Sequence, residues 1–485
     1  MLFNSFQFPI FFLVTTLIYF RLPLVGRWYL LLAASCYFYM AFIPVYILIL
    51  AFTIVVDYLA GILIQRSEGR RRRFFLALSI VGNVGVLAIF KYLPFINRNL
   101  AALYAAFHWQ WPVHDLSIVL PIGLSFHTFQ AMAYTIEVYR GHQKAETNFV
   151  LYALYVMFYP QLVAGPIERP QNLLTQLREL HRFDYERVTD GLKLMLRGFF
   201  KKVVVADRLA ILVDAVYAAP RQHHGTALFL ATVFFAFQIY ADFSGYSDIA
   251  IGAAQVLGIR LMTNFRQPYF SQSVAEFWSR WHISLSTWFR DYLYIPLGGN
   301  RVGRMRWYAN LMVTFLISGL WHGAAWTYVI WGGLNGVYLI LGVIARQARG
   351  ASSSQRQGED ASAVTVLVNR LATFLVICAA WVFFRARTAG DAIYILRHSV
   401  DLTGLLRPSL LLGPAGLTSS RGQLLGAFVV IGALLVLDAQ SEKQNVLASL
   451  RRRPVWFRWA IYYGFAFAIL FMGQFGTQQF IYFQF

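Results

Sequence analysis

Long apolar runs recur along the whole chain, broken by short charged stretches and by Pro- and Gly-bearing corners. A helix needs about 20 mostly apolar residues to cross a bilayer. The pattern predicts such segments at 6–23, 28–42, 43–64, 74–92, 118–139, 148–164, 191–217, 226–258, 309–326, 327–345, 363–384, 423–439 and 459–475. Several of these are short or carry Gly and Pro, and read as half-helices or re-entrant pieces. The alternation of apolar and polar positions that marks a membrane barrel is missing. Backbone groups in lipid must then be satisfied within each segment, which leaves helices. The predicted fold is an all-α polytopic integral membrane protein of about 11–13 membrane helices, with re-entrant or interfacial helices besides.

One stretch breaks the pattern. Residues 264–308, NFRQPYFSQSVAEFWSRWHISLSTWFRDYLYIPLGGNRVGRMRWY, are too polar for a plain span and too aromatic for a free loop. Pro268 and Pro296 bracket it. It is expected to form amphipathic or re-entrant helices in contact with the membrane, since irregular backbone at membrane depth survives only where protein or a cavity surrounds it.

Composition supports the membrane reading. Of 485 residues, 58% are hydrophobic and 13% charged, about half the charge of a soluble domain. The net charge of +20 would suggest nucleic acid on a soluble chain. Here the Arg clusters 70–73 and 451–453 sit between apolar runs, and cytoplasmic loops collect Lys and Arg. The partners implied are membrane lipids, not nucleic acid. The basic loops 66–73, 140–144, 346–356 and 443–458 read as cytoplasmic, which places the C-terminus on the outer face of the membrane. Cys36 and Cys378 lie in apolar runs and read as free thiols. No CxxC or HExxH spacing suggests a metal.

The segment 311–344 contains no Lys, Arg, Asp or Glu, and its one group that titrates near neutrality is His322. Such a group faces a cavity or a neighbouring helix. Packing and chemistry weigh equally on spacing alone. A neutral imidazole can take a proton from an alcohol or phenol and return it. The strings GLSFH at Gly123 and GYSDI at Gly245 fail the GxSxG nucleophile pattern, so base-assisted transfer fits better than an acyl-serine enzyme. His282, in RWHISLSTW, repeats the Trp-His pairing: Trp281-His282 and Trp321-His322. An interfacial histidine beside a headgroup-level Trp is the plainer reading of His282.

Asp242 and Asp248 fall in the apolar run YADFSGYSDIAIG, 240–252. Intramembrane carboxylates need partners. They could orient an imidazole or an Arg, but a structural role at a broken helix, with Ser244, Gly245 and Ser247, weighs more. LVAGPIERP, 162–170, reads as a rigid corner.

Four strings carry a family resemblance: LVAGPIERP at 162–170, DFSGYSDIAIG at 242–252, EFWSRWHISLSTWFRDYLYIPLGGNR at 276–301 and GLWHGAAWTYVIWGGLNG at 319–336. The chain resembles the membrane-bound O-acyltransferases, in particular the alginate O-acetylase branch of surface-polymer acylation. The resemblance spans nearly the whole chain, read as one domain over 1–485 with a catalytic core at about 121–345 and a C-terminal helix and tail at 459–485. It implies His322 as the essential active-site histidine and His282 as its polar companion, near the narrowest point of a central tunnel. It also implies a terminal FxYxxF pattern, matched by Phe480, Tyr482 and Phe485, that relays the acyl group.

The expected activity is O-acyl transfer, with acetyl as the group. A cytoplasmic thioester donates it, either acetyl-CoA or a carrier-protein thioester, and no cofactor is bound. The acceptor pathway leads to an extracellular polysaccharide through a periplasmic acyltransferase partner. Arg280, Arg290, Arg301 and Asn335 are the expected donor contacts, although headgroup contact explains each Arg singly. Asn335, Trp326 or a protonated His282 would stabilise the oxyanion. Trp281, Trp321, Asp242 and Asp248 would support the site. A polymer or lipid-linked-unit transporter, or a scaffold subunit of an export complex, is the alternative. The paired Trp-His sites and the lack of internal repeats weigh against both.

Overall fold

The computed structural model describes residues 1–113, 120–223, 225–348, 362–403, 411–413, 415–418, 420–443, 446–475 and 480–481. Among them the regular elements are helices. Seven are long and apolar enough to cross a membrane, by length and composition, and the shorter Gln7–Arg21 is also apolar. The predicted segments fall on helices closely. The run 226–258 is Gly225–Val256, 363–384 is Ala363–Arg385, and 309–326 lies over Arg304–His322. The run 191–217 lies on Tyr185–Phe199 and Asp207–Ala218, joined by a π-helical turn at Phe200–Ala206. The run 148–164 holds only the nine-residue helix Phe149–Met157. Pro160 and Gly165 in the stretch that follows favour turn over helix.

The chain forms two compact units, 1–195 with 246–262, and 196–245 with 263–485. The first contains helices α1 (Gln7–Arg21), α2 (Leu24–Met40), α3 (Ile47–Arg66), α4 (Gly69–Leu87), α5 (Leu93–Ala106), α6 (Leu124–Arg140), α7 (Phe149–Met157), α8 (Pro170–Leu177) and most of α9 (Tyr185–Phe199). One of its buried carboxylates, Asp57 on α3, accepts hydrogen bonds from Ser79 at 2.6 Å and Asn83 at 2.7 Å on α4. A polar network of this kind ties helices together where lipid offers no hydrophobic driving force.

The second unit holds α10 (Asp207–Ala218), the first part of α11 (Gly225–Val256), α12 (Val274–Arg280), α13 (Ile283–Phe289), α14 (Arg304–His322), α15 (Trp326–Ala348), α16 (Ala363–Arg385), α17 (Ala389–His398), α18 (Arg421–Lys443), α19 (Val446–Arg451) and α20 (Val455–Met472). Helix α11 is apolar nearly all round, and such a helix is buried on all sides; its apolar window is 89% buried. Helix α20 is the reverse. It exposes Trp456, Trp459, Tyr463, Phe467 and Phe471, a surface that suits lipid and not water. Helices α14 and α15 cross at glycines. A Cβ on Gly319 would stand 2.3 Å from the Tyr328 carbonyl oxygen, and one on Gly332 would stand 2.3 Å from that of Phe315. Only hydrogen at both positions allows this approach.

The segment 264–308 contains no spanning helix. Its helices α12 and α13 have seven residues each, about 10 Å apiece at 1.5 Å per residue. Cys36 and Cys378 are free thiols.

Candidate functional site

Helix α14 ends at His322, which is buried. Gly323 follows in an extended conformation. His322 Nδ1 lies 2.7 Å from the carbonyl oxygen of Ser318, one turn back. A neutral imidazole that donates Nδ1–H to a carbonyl carries its lone pair on Nε2, which is the basic atom. Three aromatic rings fix the imidazole plane: Trp331 at 4.8 Å, Trp321 at 4.9 Å and Phe384 at 5.6 Å between centroids. Asn335 stands one turn beyond Trp331. Its amide donates to the Trp331 carbonyl at 2.8 Å and accepts from the Trp278 indole at 3.3 Å.

His282 joins α12 to α13 with φ 43° and ψ 54°. A left-handed backbone costs a non-glycine residue about 1–2 kcal/mol, and such strain gathers at functional sites. The turn is held from outside. Asn264 accepts His282 Nδ1–H at 3.1 Å, and the same oxygen accepts from Ser284 Oγ at 2.9 Å and Ser284 N at 3.2 Å. The Asn264 carbonyl takes Ile283 N–H at 2.9 Å. Nε2 is again the basic nitrogen. Burial, and then the neighbouring His322, push the His282 pKa well below 6.5, so His282 is neutral at pH 7.

The two imidazoles share one indole. Trp321 lies 6.3 Å from His282 and 4.9 Å from His322 between ring centroids. Sequence spacing alone gave no reason for residues forty positions apart to meet there. Phe243, on α11, packs edge-on to His282 at 4.5 Å.

A cavity of about 210 Å³ lies on the same unit, and neither histidine is among its lining residues. Leu285, Ser286 and Phe289 of α13 line it with Thr314, Phe315 and Ser318 of α14, and Trp278 and Arg290 are also in the wall. It therefore reaches the residue whose carbonyl orients His322 and the helix that His282 begins. Its wall is mostly apolar, with one guanidinium.

The remaining predicted residues take different places. Arg290 lines the cavity and donates to Asp291 at 2.8 Å. Arg280 is instead bound to Glu276 at 2.7 Å and Glu442 at 3.2 Å. Arg301 and Trp326 are exposed. Trp281 is buried against Phe277, Phe265 and Trp381. Asp242 is paired with Lys202. Asp248 is buried on the part of α11 that belongs to the first unit. Tyr482 lies outside the described residues. Asn264 and Phe243 escaped the sequence reading. The signal available for Asn264 was its place at the head of the polar-aromatic stretch, and for Phe243 its place inside the DFSGYSD string.

Residues 140–382 match the model of the membrane-bound O-acyltransferase family. The chain is 41% identical over 360 residues to a probable alginate O-acetylase of Pseudomonas aeruginosa, covering 74% of this chain and 66% of the relative. It is 34% identical over 414 residues to a peptidoglycan O-acetyltransferase of Helicobacter pylori, covering 80% and 76%. A teichoic acid D-alanyltransferase of Bacillus subtilis is 26% identical over 288 residues, covering 56% and 69%.

Proposed function

The chain belongs to the membrane-bound O-acyltransferase family, and from that premise we propose that it moves an acetyl group from a cytoplasmic thioester toward O-acetylation of a surface polysaccharide. The observation that carries this reading is the pair of buried imidazoles around Trp321, with Ser318, whose carbonyl bonds His322, in the wall of an apolar cavity that also holds Arg290.

In this reading the thioester arm occupies the cavity. Trp278, Phe289 and Phe315 suit the methylene and methyl groups of a pantetheine-like arm, and Arg290 suits a phosphate on the donor. The incoming hydroxyl reaches His322. Nε2 takes its proton as the oxygen attacks the thioester carbonyl. The tetrahedral adduct then collapses, the carbon–sulfur bond breaks, and the thiolate recovers the proton from the imidazolium. His282, locked to Asn264, is the second polar group beside the reacting centre.

The hydroxyl is that of Tyr482 in the fuller form of the proposal. Its acyl ester would be a good onward donor, because phenol has a pKa near 10 and phenolate leaves more readily than an alkoxide. A periplasmic acyltransferase partner would pass the group to the glycan. The relatives point to alginate-like and peptidoglycan acceptors, and acetyl-CoA or a carrier-protein thioester is the donor class. The inner membrane, with the C-terminus outside, is the setting.

The test is a purified chain in nanodiscs with acetyl-labelled coenzyme A, alongside polymer acetylation in cells. His322→Ala should stop both without loss of protein. A variant that acetylates polymer at the parental level would overturn the assignment.

A further inference from the structure

A second polar cluster lies close to the site on the same unit. Lys202 sits on the π-helical turn Phe200–Ala206, buried, as are Asp207 and Asp242. Its ammonium donates to Asp207 Oδ1 at 2.8 Å and to Asp242 Oδ1. Three charges without solvent are costly unless their geometry and remaining lone pairs are satisfied. The arrangement depends on Gly245, where a Cβ would stand 2.8 Å from the Gly198 carbonyl and 3.0 Å from Lys201 Cβ. That glycine lets α11 press against the π turn, so that Lys202 reaches Asp242.

Lys202 occupies one oxygen of Asp242. The other, Oδ2, accepts the main-chain N–H of Ile481 at 2.7 Å. Ile481 and Phe480 are both buried. Phe480 packs on Phe243 at 5.7 Å, and Phe243 in turn packs on His282 at 4.5 Å. The route to this place is also tied. Beyond α20, Gln474 N–H donates to the Val203 carbonyl at 2.9 Å, and Arg208 donates to the Met472 carbonyl at 2.7 Å. The segment after the last helix is thus fastened to the π turn first and to Asp242 second, one aromatic ring away from His282.

We infer that the Lys202–Asp207–Asp242 triad is a clasp that seats segment 480–481 beside the histidines, with Asp242 as a positioning residue for transfer. The chemistry explains why a carboxylate is used. A main-chain N–H bonded to a charged acceptor makes a stronger contact than a neutral pair. Lys202 takes Oδ1 of Asp242, which leaves Oδ2 to accept the amide. The clasp reads the backbone of residue 481 and not its side chain. The inference deepens the acyl-transfer reading in its catalytic consequence, whereas the seating itself is measurable without any acyl donor.

The experiment uses the full chain in nanodiscs. Ile481→Pro removes the single N–H while leaving every member of the triad in place, and Ile481→Val keeps it. Hydrogen–deuterium exchange is read on the peptide containing 480–481 and on peptides from α11 and α14. Losing a bond to a charged acceptor should release the segment about 10-fold or more. In Ile481→Pro the tail peptide should therefore exchange at least that much faster, with α11 and α14 unchanged, and Ile481→Val should match the parent. Asp242→Ala should give the same local release. Acetyl transfer should fall in kcat by a similar factor with the KM for acetyl-CoA unchanged, a split that general destabilisation would not produce. Parental tail protection in Ile481→Pro would overturn the clasp. A freed tail with parental kcat would overturn the positioning role. If the parent itself transfers no acetyl, the exchange result still decides the clasp, and only the acyl-transfer reading fails.

Discussion

Asn264 Oδ1 holds His282 Nδ1 at 3.1 Å while accepting two further hydrogen bonds from Ser284. One amide oxygen thereby sets the tautomer of an imidazole and the left-handed turn that presents it. Asn264→Leu removes the acceptor and keeps the approximate volume. Partners that orient a metal-bound imidazole are worth about 10–100-fold in function, and a loss of the same order is expected for this orienting contact. Acetyl transfer should fall within that range while the protein still assembles, checked by initial rates and size-exclusion profile. Parental rates would show that Asn264 does not govern His282.

Arg280 and Arg290 should separate in their effects. Arg280 is committed to Glu276 and Glu442, so Arg280→Ala should lower stability by about 1 kcal/mol and leave the KM for acetyl-CoA within twofold. Arg290 faces the cavity, so Arg290→Ala should raise that KM with little change in melting temperature. The reverse pattern would transfer the donor contact to Arg280.

Filling the cavity is a direct test of its role. Thr314 lies in its wall on α14, and Thr314→Trp would occupy much of the roughly 210 Å³. The KM for donor should rise about 10-fold or more, a loss of about 1.4 kcal/mol in binding. Unchanged donor kinetics would place the thioester elsewhere.

The glycine crossing of α14 and α15 positions His322 at the end of α14. Gly332→Val places side-chain atoms against a carbonyl oxygen 2.3 Å from the Cβ position. Overpacking of this kind costs about 1–3 kcal/mol or more. Melting temperature and transfer should fall together, and Gly333→Ala, whose nearest contact would be 3.6 Å away, should change neither.

Acid should destabilise the protein through His282. Its folded pKa lies well below 6.5, whereas the unfolded imidazole titrates near 6.5. As pH falls through that value the unfolded state binds a proton that the folded state refuses. The contribution is present above pH 6.5 and is lost as pH drops toward the folded pKa. His282→Gln should flatten the fall in melting temperature between about pH 7 and pH 5. An identical slope in parent and variant would assign the acid sensitivity to other groups.

Hydropathy alone determined where most of the long helices lie. Helices Gly225–Val256 and Ala363–Arg385 coincide with apolar runs because lipid-phase helices must satisfy their own backbone within one segment, and that is a local property. The same logic singled out His322, an imidazole in a stretch without charge, and His282, its Trp-paired counterpart. Tertiary structure decided what these residues meet. Trp321 touches both imidazoles. Arg280 turns to Glu442, 162 positions on, while Arg290 turns to the cavity. Asp242 reaches the amide of Ile481 across 239 positions. Periodicity reports which face of a helix is apolar, but partners far apart in the chain are chosen by close packing, here by glycines at 245, 319 and 332 that let backbones approach. A side chain's role at this site follows from that approach, because hydrogen bonds and ring contacts are made or lost within about an ångström.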